Sequence, residues 1–241
     1  MSSDSQLSGL MLTLTSLTAG YGNVQVLHGL TLSLAPGEVL CLMGRNGAGK
    51  STALKSIMGL VPPRAGTVTL GGQRLDGLPA HEIPRRGIGY VPQGRRLFAE
   101  LTVAENLEIG LIARHHGPAT RERVLELFPR LAERLEQTAG TLSGGEQQML
   151  AIGRALCLEP TVLLLDEPTE GLQPSMTALI HDTVARLKAE GVATLLVEQR
   201  VDAALASADR IAFMVAGRIV ETLPAAPLTP DAPAFRAHVG V

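Results

Sequence analysis

Gly44-Arg45-Asn46-Gly47-Ala48-Gly49-Lys50-Ser51-Thr52 matches the pattern G-x-x-x-x-G-K-[ST], in which a glycine-rich loop binds phosphate groups. The apolar residues 38–43 before it predict a buried strand, and residues 53–58 after it predict a helix, which is the context that the pattern requires. The glycines let backbone N–H groups point inward, and the helix adds the positive end of its dipole. We therefore expect Lys50 to contact the β- and γ-phosphates of a nucleotide and Ser51 to bind Mg²⁺.

Composition excludes several classes of protein. The 241 residues carry a net charge of −2 and form no Lys/Arg block, which argues against a nucleic-acid-binding surface. With two Tyr, four Phe and no Trp, a surface for stacking bases is also disfavoured. No run of apolar residues is long enough to predict a membrane-spanning helix. Cys41 and Cys157 lie in apolar patterns, so we expect free, buried thiols in a reducing compartment.

The first third of the chain predicts an antiparallel sheet beside a parallel core. Residues 12–17 and 29–34 alternate between apolar and polar side chains, which predicts half-buried strands. Between them, residues 19–23 predict a turn that contains Tyr21. Tyr21 is either a platform for stacking on adenine, which the loop downstream favours, or an ordinary turn tyrosine.

The middle of the chain predicts an inserted helical region. Residues 101–155 have a helical pattern that begins with a capping box at Thr102 and Glu105, and they separate predicted strands at 88–91 and 161–167. The preceding segment, residues 93–98, is either a plain surface loop or a docking point. We expect a domain over 11–223 with a helical subdomain over about 94–158, a disordered lead-in at 1–10 and a C-terminal tail at 224–241.

A second candidate phosphate site lies at residues 142–148, Leu-Ser-Gly-Gly-Glu-Gln-Gln. Ser143 and Glu146 fit a capping box, which is the simpler interpretation. However, Gly144 and Gly145 each cost about 1 kcal/mol of helix propensity, which a plain cap would avoid. Accessible N–H groups at a helix N-terminus bind anions, so we expect this segment to face a phosphate.

Two carboxylates end the predicted strand at 161–167. Such an apolar strand is buried on both faces, and ligands of open α/β sheets bind at the carboxyl ends of the strands. Asp166 is suited to Mg²⁺, and Glu167 to polarising the water that attacks a γ-phosphate. The alternative is that both merely cap the next segment.

Together, these motifs resemble the ATPase subunits of ABC transporters. Residues 142–147 resemble the family signature, and the similarity covers nearly all of the chain from Leu12 to Val220. The resemblance implies an α/β fold with three parts: a P-loop NTPase core with a parallel sheet, an antiparallel β subdomain and an inserted helical subdomain. It also implies ATP and Mg²⁺ as cofactors. The residues at family positions are, for the nucleotide, Tyr21, Gly44, Arg45, Asn46, Gly47, Ala48, Gly49, Lys50, Ser51, Thr52, Ser143, Gly144, Gly145 and Glu146; for the metal, Ser51, Gln93 and Asp166; and for catalysis, Glu167 and Gln199.

In such subunits, Gln93 senses Mg²⁺ and contacts the membrane subunit, and Ser143 contacts the γ-phosphate held by a second copy. The resemblance therefore implies a head-to-tail dimer. Two positions depart from the family: Gln199 replaces the switch histidine, and Gln173 replaces the usual Asp. Gln199 cannot share a proton as imidazole does, but its amide can still bind a phosphate oxygen.

Residues 94–98 and 197–199 resemble the subfamily that energises branched-chain amino acid uptake, whereas Gln93 and residues 169–174 lean toward urea and short-amide uptake. We expect an importer ATPase on the cytoplasmic face of the membrane. Its partners would be permease subunits, a second ATPase of the same or a sister chain and, indirectly, a solute-binding protein, with no nucleic acid. A soluble ABC ATPase would not co-purify with membrane proteins, and a regulatory ATP binder would release no phosphate.

Overall fold

The computed structural model describes residues 11–115 and 117–240, so the predicted disordered lead-in at 1–10 lies outside the described residues. The strands are β1 (Leu12–Tyr21), β2 (Val24–Leu34), β3 (Val39–Met43), β4 (Ala65–Leu70), β5 (Gln73–Arg74), β6 (Ile88–Val91), β7 (Val162–Asp166), β8 (Ala193–Val197), β9 (Arg210–Val215) and β10 (Arg218–Pro224). The helices are α1 (Lys50–Ile57), α2 (Val103–Arg114), α3 (Pro118–Leu127), α4 (Pro129–Ala132), α5 (Gly144–Leu156), α6 (Pro174–Ala189), α7 (Val201–Ser207) and α8 (Pro233–His238). Within these described ranges, every helix is too short or too polar to cross a membrane.

The smaller sheet is antiparallel, with the strand order β2-β1-β4-β5, as the alternating sequence predicts. The predicted turn at 19–23 is wrong in its extent, because β1 continues to Tyr21, which pairs with Val24. The turn consists only of Gly22 and Asn23, and Gly22 supplies a φ of +52°. Register shifts between Leu14 and Leu17 interrupt the alternation of β1, as β-bulges do, and this concealed its second half from the sequence pattern.

The larger sheet has the order β10-β9-β3-β8-β7-β6, in which β6, β7, β8, β3 and β9 run parallel and β10 is an antiparallel edge strand. Every residue of β3, β7 and β8 is buried. On β3, Cys41 packs into the core beneath the helices, whereas Leu40 and Leu42 pack into the core shared with β1 and α1. The apolar runs in the sequence at β3, β7 and β8 are therefore strands whose two faces are both covered by other parts of the protein.

The helices between β6 and β7 pack on the first of these cores. The capping box at Thr102 and Glu105 is present at the start of α2. The α2 and α5 backbones approach closely, since a Cβ on Gly110 would lie 2.4 Å from the carbonyl oxygen of Arg154. After α2, the helix α3 begins at Pro118, and Pro129 starts the separate short helix α4, which ends at Ala132.

The described part of the C-terminal segment packs on the larger sheet. Phe235 of α8 is fully buried and meets Phe213 of β9 edge-on, with 5.6 Å between ring centroids. His238 lies 3.0 Å from the carboxylate of Glu221 on β10. Cys41 and Cys157 are both free and buried, as expected.

The parallel strands place four loops along one edge of the sheet. The phosphate-binding loop follows β3, Gln199 follows β8 by two residues, Glu167 follows β7 directly and Gln93 follows β6 by two residues. Since β3, β8, β7 and β6 are successive neighbours in the sheet, these loops converge although the chain separates them by up to 155 residues, from Gly44 to Gln199. This is the edge where open α/β sheets bind ligands.

Candidate active site

The phosphate-binding loop has the backbone geometry that its glycines predict. The φ angles of Gly44, Gly47 and Gly49 are +156°, +80° and +108°, and α1 begins at Lys50. A Cβ on Gly44 would lie 2.2 Å from the carbonyl oxygen of Met214, so no larger residue fits there without displacing backbone. The loop lines a cavity of about 560 Å³ through Asn46, Gly47, Gly49, Lys50, Ser51 and Thr52.

Lys50 lies folded across this loop. Its ammonium donates hydrogen bonds to the carbonyl oxygens of Gly44, at 2.8 Å, and Arg45, at 3.2 Å. Burial lowers the pKa of Lys50, and the nearby charges of Glu167 and Asp166 act in the opposite direction. A nearly buried cation at a helix N-terminus, facing open volume, is suited to phosphate oxygens.

Three residues predicted to hold Mg²⁺ line a second cavity together. Ser51 donates a hydrogen bond of 3.0 Å from Oγ to the Oδ1 of Asp166, and both line this cavity with Gln93. Burial raises the pKa of Asp166, whereas the Ser51 hydrogen bond lowers it. Among the described residues, no group of three or more His, Cys, Asp or Glu side chains could hold a metal. The oxygen donors here fit Mg²⁺, which prefers few protein ligands alongside phosphate oxygens.

The carboxylate of Glu167 is held by two side-chain amides. Gln199 donates from Nε2 to Oε1 of Glu167 at 2.5 Å, and Gln93 donates to Oε2 at 3.0 Å. Glu167 follows the end of β7 with a φ of +52°, so the strand predicted to include it stops one residue earlier. This left-handed turn points the carboxylate of Glu167 into the phosphate cavity, which Glu167, Gln93 and Gln199 all line.

The capping box at the start of α5 is present. It is compatible with both interpretations of residues 142–148, a plain helix cap and a segment that faces a phosphate. Ser143 accepts a hydrogen bond from the backbone N–H of Glu146, and the hydroxyl of Ser143 donates to Oε2 of Glu146 at 2.7 Å. The Ser143 hydrogen bond lowers the pKa of Glu146 most, and Arg134 lies 3.1 Å from the other oxygen. Gly144 lies against the guanidinium of Arg95. Of the described residues that line the phosphate cavity, none belongs to α5.

Tyr21 stands apart from the phosphate cavity as well. It is the last residue of β1, and its side chain is half exposed. The described residues lining the cavity include Val26 of β2 but not Tyr21. Arg45 and Ala48 line a neighbouring pocket that also contacts Met214 of β9 and His238 of α8. Contact of Tyr21 with adenine therefore stays a prediction.

Comparison with known proteins decides the family. A family model described as "ABC transporter" matches residues 27–170, which is more than half of the chain. The chain belongs to the ABC transporter family. It is an ATPase of that family, an ABC ATPase, and its two sheets with inserted helices are the fold of an ABC cassette.

Relatives and solved structures agree with this assignment. The high-affinity branched-chain amino acid transport ATP-binding protein BraG of Pseudomonas aeruginosa is 47% identical over 212 residues, covering 87% of this chain and 91% of BraG. A crystal structure of a nucleotide-free ATP-binding cassette from an ABC transporter is 26% identical with a TM-score of 0.85, covering 96% of this chain and 99% of that one. A dimeric post-hydrolysis state of the cassette MJ0796, bound to ADP and Pi, is 27% identical with a TM-score of 0.81, covering 89% and 99%.

Sequence reasoning missed two residues of this ABC ATPase site. Glu170 lines the phosphate cavity, and its carboxylate accepts a hydrogen bond of 2.9 Å from Gln93. Glu198 is buried one residue before Gln199 and accepts a hydrogen bond from Thr169. A carboxylate directly after a mostly apolar strand is the signal that could have identified Glu198, because every residue of β8 before it is buried.

Proposed function

We propose that this ABC ATPase powers the uptake of branched-chain amino acids as the ATP-hydrolysing subunit of an importer. One observation carries the hydrolytic part: the phosphate-binding loop, the Ser51–Asp166 pair and Glu167 meet at one edge of the sheet. The solute is supported by the similarity to BraG and by residues 94–98 and 197–199. Urea or a short amide is the second candidate, favoured by Gln93 and residues 169–174.

Hydrolysis in this proposal depends on residues that already meet. Lys50 exchanges the carbonyl oxygens of Gly44 and Arg45 for the β- and γ-phosphates. Ser51, Asp166 and Gln93 would hold Mg²⁺, which would supply positive charge to neutralise the phosphate oxygens. The carboxylate of Glu167 accepts a proton from the attacking water, and the amide of Gln199 orients that carboxylate.

A second copy completes each site in this proposal. The N-terminus of α5 presents Ser143, Gly144 and Gly145 at a helix end, where backbone N–H groups bind anions. No residue of that segment lines the phosphate cavity of its own chain among the described residues. In a head-to-tail dimer, the segment would cover the γ-phosphate held by the partner, and closing the pair would perform the mechanical work of transport.

The permease would contact the loop that carries Gln93. That loop exposes Arg96 and Phe98, with half of the Phe98 side chain accessible, and its Gln93 reaches the catalytic carboxylate. An apolar and cationic surface beside the active site is suited to a protein partner. This partner would place the ABC ATPase on the cytoplasmic face of the membrane, with a solute-binding protein acting indirectly through the permease.

Transport tests the solute and the ATPase separately. The chain is co-expressed with candidate permease subunits and a solute-binding protein, and the complex is reconstituted in vesicles. We expect phosphate release that rises when the binding protein is loaded with leucine. Stimulation by urea and not by leucine would select the second candidate. Failure to co-purify with any permease would indicate a soluble ABC ATPase, and ATP binding without phosphate release would indicate a regulatory binder.

Cross-linking tests the dimer. A chain with Glu167→Gln, Asn46→Cys and Ser143→Cys is treated with a mild oxidant, and the native Cys41 and Cys157 are buried and do not compete. We expect a covalent dimer that depends on ATP, and monomer from each chain that carries only one new cysteine. A disulfide within one chain, or none in the presence of ATP, would contradict the head-to-tail arrangement.

A further inference from the structure

Glu198 and Thr169 form a buried hydrogen bond beneath the catalytic carboxylate. The hydroxyl of Thr169 donates to Oε1 of Glu198 at 2.8 Å. Both residues are almost completely buried, with 2% of the surface of Thr169 and 3% of that of Glu198 exposed. A buried glutamate is uncommon, and it is retained only where its carboxyl group is hydrogen-bonded. The mechanism described above gives this pair no role.

The pair joins the two loops that carry the catalytic side chains. Thr169 lies two residues after Glu167, and Glu198 immediately precedes Gln199. One backbone contact also joins these loops, since the N–H of Glu167 donates to the carbonyl oxygen of Val197 at 3.0 Å. The contact between the two catalytic side chains themselves is exposed to solvent. The buried pair is therefore the side-chain contact between these loops that solvent cannot replace.

The loop that carries Glu167 needs such support. Its φ of +52° is unfavourable for a residue with a Cβ, and such strain persists only where surrounding contacts hold the backbone. Glu170, three residues further, donates its N–H back to the carbonyl oxygen of Glu167 at 3.2 Å. Thr169 lies inside this turn, so its side-chain hydrogen bond fixes the turn to the end of β8.

We propose that Glu198 is a positioning residue, which holds the turn of Glu167 and the neighbouring Gln199 in register through its buried hydrogen bond to Thr169. The inference rests on the proposed hydrolytic role of Glu167 and deepens it. Glu198 lies outside the lining of the phosphate cavity among the described residues, so it acts through its neighbours and not on the nucleotide.

The charge of Glu198 bears on this role. Burial raises the pKa of Glu198 to about 7, the negative charge of Glu167 adds to the rise, and the Thr169 hydroxyl and the N–H groups of Gln199 and Thr169 oppose it. The Cys41 thiol and Arg200 also interact with Glu198. Burial and the charge of Glu198 raise the pKa of Cys41, and the hydrogen bond and charge of Asp202, followed by the charge of Glu198, raise the pKa of Arg200. With this pKa the carboxyl group is about half protonated at neutral pH, and its neutral form keeps the hydrogen bond without placing a second negative charge behind Glu167.

Steady-state kinetics of the full chain with its membrane partners test the proposal. The variants are Glu198→Gln, Glu198→Ala, Thr169→Val and the double variant Glu198→Ala/Thr169→Val, and Thr169→Ser is the matched control that keeps the hydroxyl. Thr169→Val and Glu198→Ala should each lower kcat about tenfold, because a misplaced base loses most of its effect, with the KM for ATP within about twofold. The double variant should be no slower than the slower single variant. Glu198→Gln and Thr169→Ser should stay within about threefold of the native kcat.

Each outcome distinguishes positioning from mere support of the fold. A fall in kcat that follows the folded fraction, measured by thermal unfolding of the same samples, would overturn the proposal, as would multiplicative effects in the double variant. If Glu198→Ala does not fold, Thr169→Val against Thr169→Ser still decides, since valine is isosteric with threonine. If the native complex hydrolyses ATP and Glu167→Gln leaves that rate unchanged, the proposed role of Glu167 fails. Equal rates for Thr169→Val and Thr169→Ser would instead overturn the positioning role of Glu198 alone.

Discussion

The two regions of this molecule that we predict to face phosphate groups differ in how complete they are within one chain. At the carboxyl edge of the larger sheet, the loop after β3, Ser51 with Asp166, and Glu167 with Gln199 already line adjoining cavities. At the N-terminus of α5, the hydroxyl of Ser143 is bonded to Glu146 of its own helix. We expect the first region to bind and polarise a triphosphate. The second presents N–H groups at a helix end that lies outside the phosphate cavity lined by the described residues of the same chain.

This contrast shows where assembly can control chemistry. A site that one chain completes would hydrolyse ATP whenever ATP binds, whereas a site that needs a helix end from a partner hydrolyses only when two chains meet. Changes in the first region should therefore affect the chemical step directly. Changes at the start of α5 should leave binding by the isolated chain intact and affect only the closed pair.

The largest effect is expected from Glu167→Gln, which tests whether the first region contains the general base. Removing the proton acceptor but keeping the shape should lower kcat for ATP hydrolysis by about 10²–10⁴-fold while ATP still binds. Phosphate release and nucleotide binding measure this. Glu170→Gln is the matched control, because Glu170 lines the same cavity and shares Gln93, and it should cost less than about tenfold. Equal effects of the two changes would remove Glu167 from the role.

Ser143→Ala separates the second region from the first. It should lower kcat by about 10–100-fold through the lost hydrogen bond to a phosphate, with ATP binding by the isolated chain unchanged. Thr102→Ala is the matched control, because Thr102 has the same capping box at the start of α2. Both changes should lower the free energy of unfolding by about 1 kcal/mol, and only Ser143→Ala should slow hydrolysis. Similar rates of ATP hydrolysis for Ser143→Ala and Thr102→Ala would contradict a role of Ser143 in the closed pair.

Glu198→Gln tests the protonation of the buried carboxyl group that lies beneath Glu167 in the first region. The pKa of Glu198 is raised from its ordinary value of 4.5 to about 7 in the folded chain, so the protonated form contributes stability that is complete below about pH 4.5 and is lost as the pH rises to about 7. The stability of Glu198→Gln relative to the native chain should therefore increase between pH 5 and 8, by up to about 3 kcal/mol. Urea unfolding across that range measures it, with Glu170→Gln as an exposed control. A difference that stays constant with pH would contradict a buried, neutral carboxyl group.

The smallest effect is expected from Gln199→His, which restores the family's usual residue. Imidazole also donates an N–H, so it can replace the Gln199 amide beside Glu167, and turnover should stay within about threefold. Gln199→Leu has similar volume and no donor, and it should be slower than both by about tenfold. Complete loss of activity in the histidine variant would mean that the amide has a role that imidazole cannot take.

Local motifs predicted the backbone geometry of this chain better than the ends of its strands and turns. The glycine pattern at 44–52 and the capping boxes at Thr102 and Ser143 depend on backbone geometry within a few residues, and the structure has them as expected. The second half of β1 was missed because bulges break its alternation, and the turn around Tyr21 was therefore placed too early. Local sequence patterns assign no role to Glu198, because its hydrogen-bond partner, Thr169, is 29 residues away in the chain.

The order of residues alone specified a phosphate-binding loop after a buried strand, two carboxylates at the end of another and a glycine-rich helix start, because each is a local pattern of side chains and backbone freedom. Only the fold decided that these ends lie side by side. The order β3-β8-β7-β6 brings Ser51 to Asp166 and Gln199 to Glu167, and it buries Glu198 against Thr169. Strand order is set by packing between distant segments, and no local pattern carries that information.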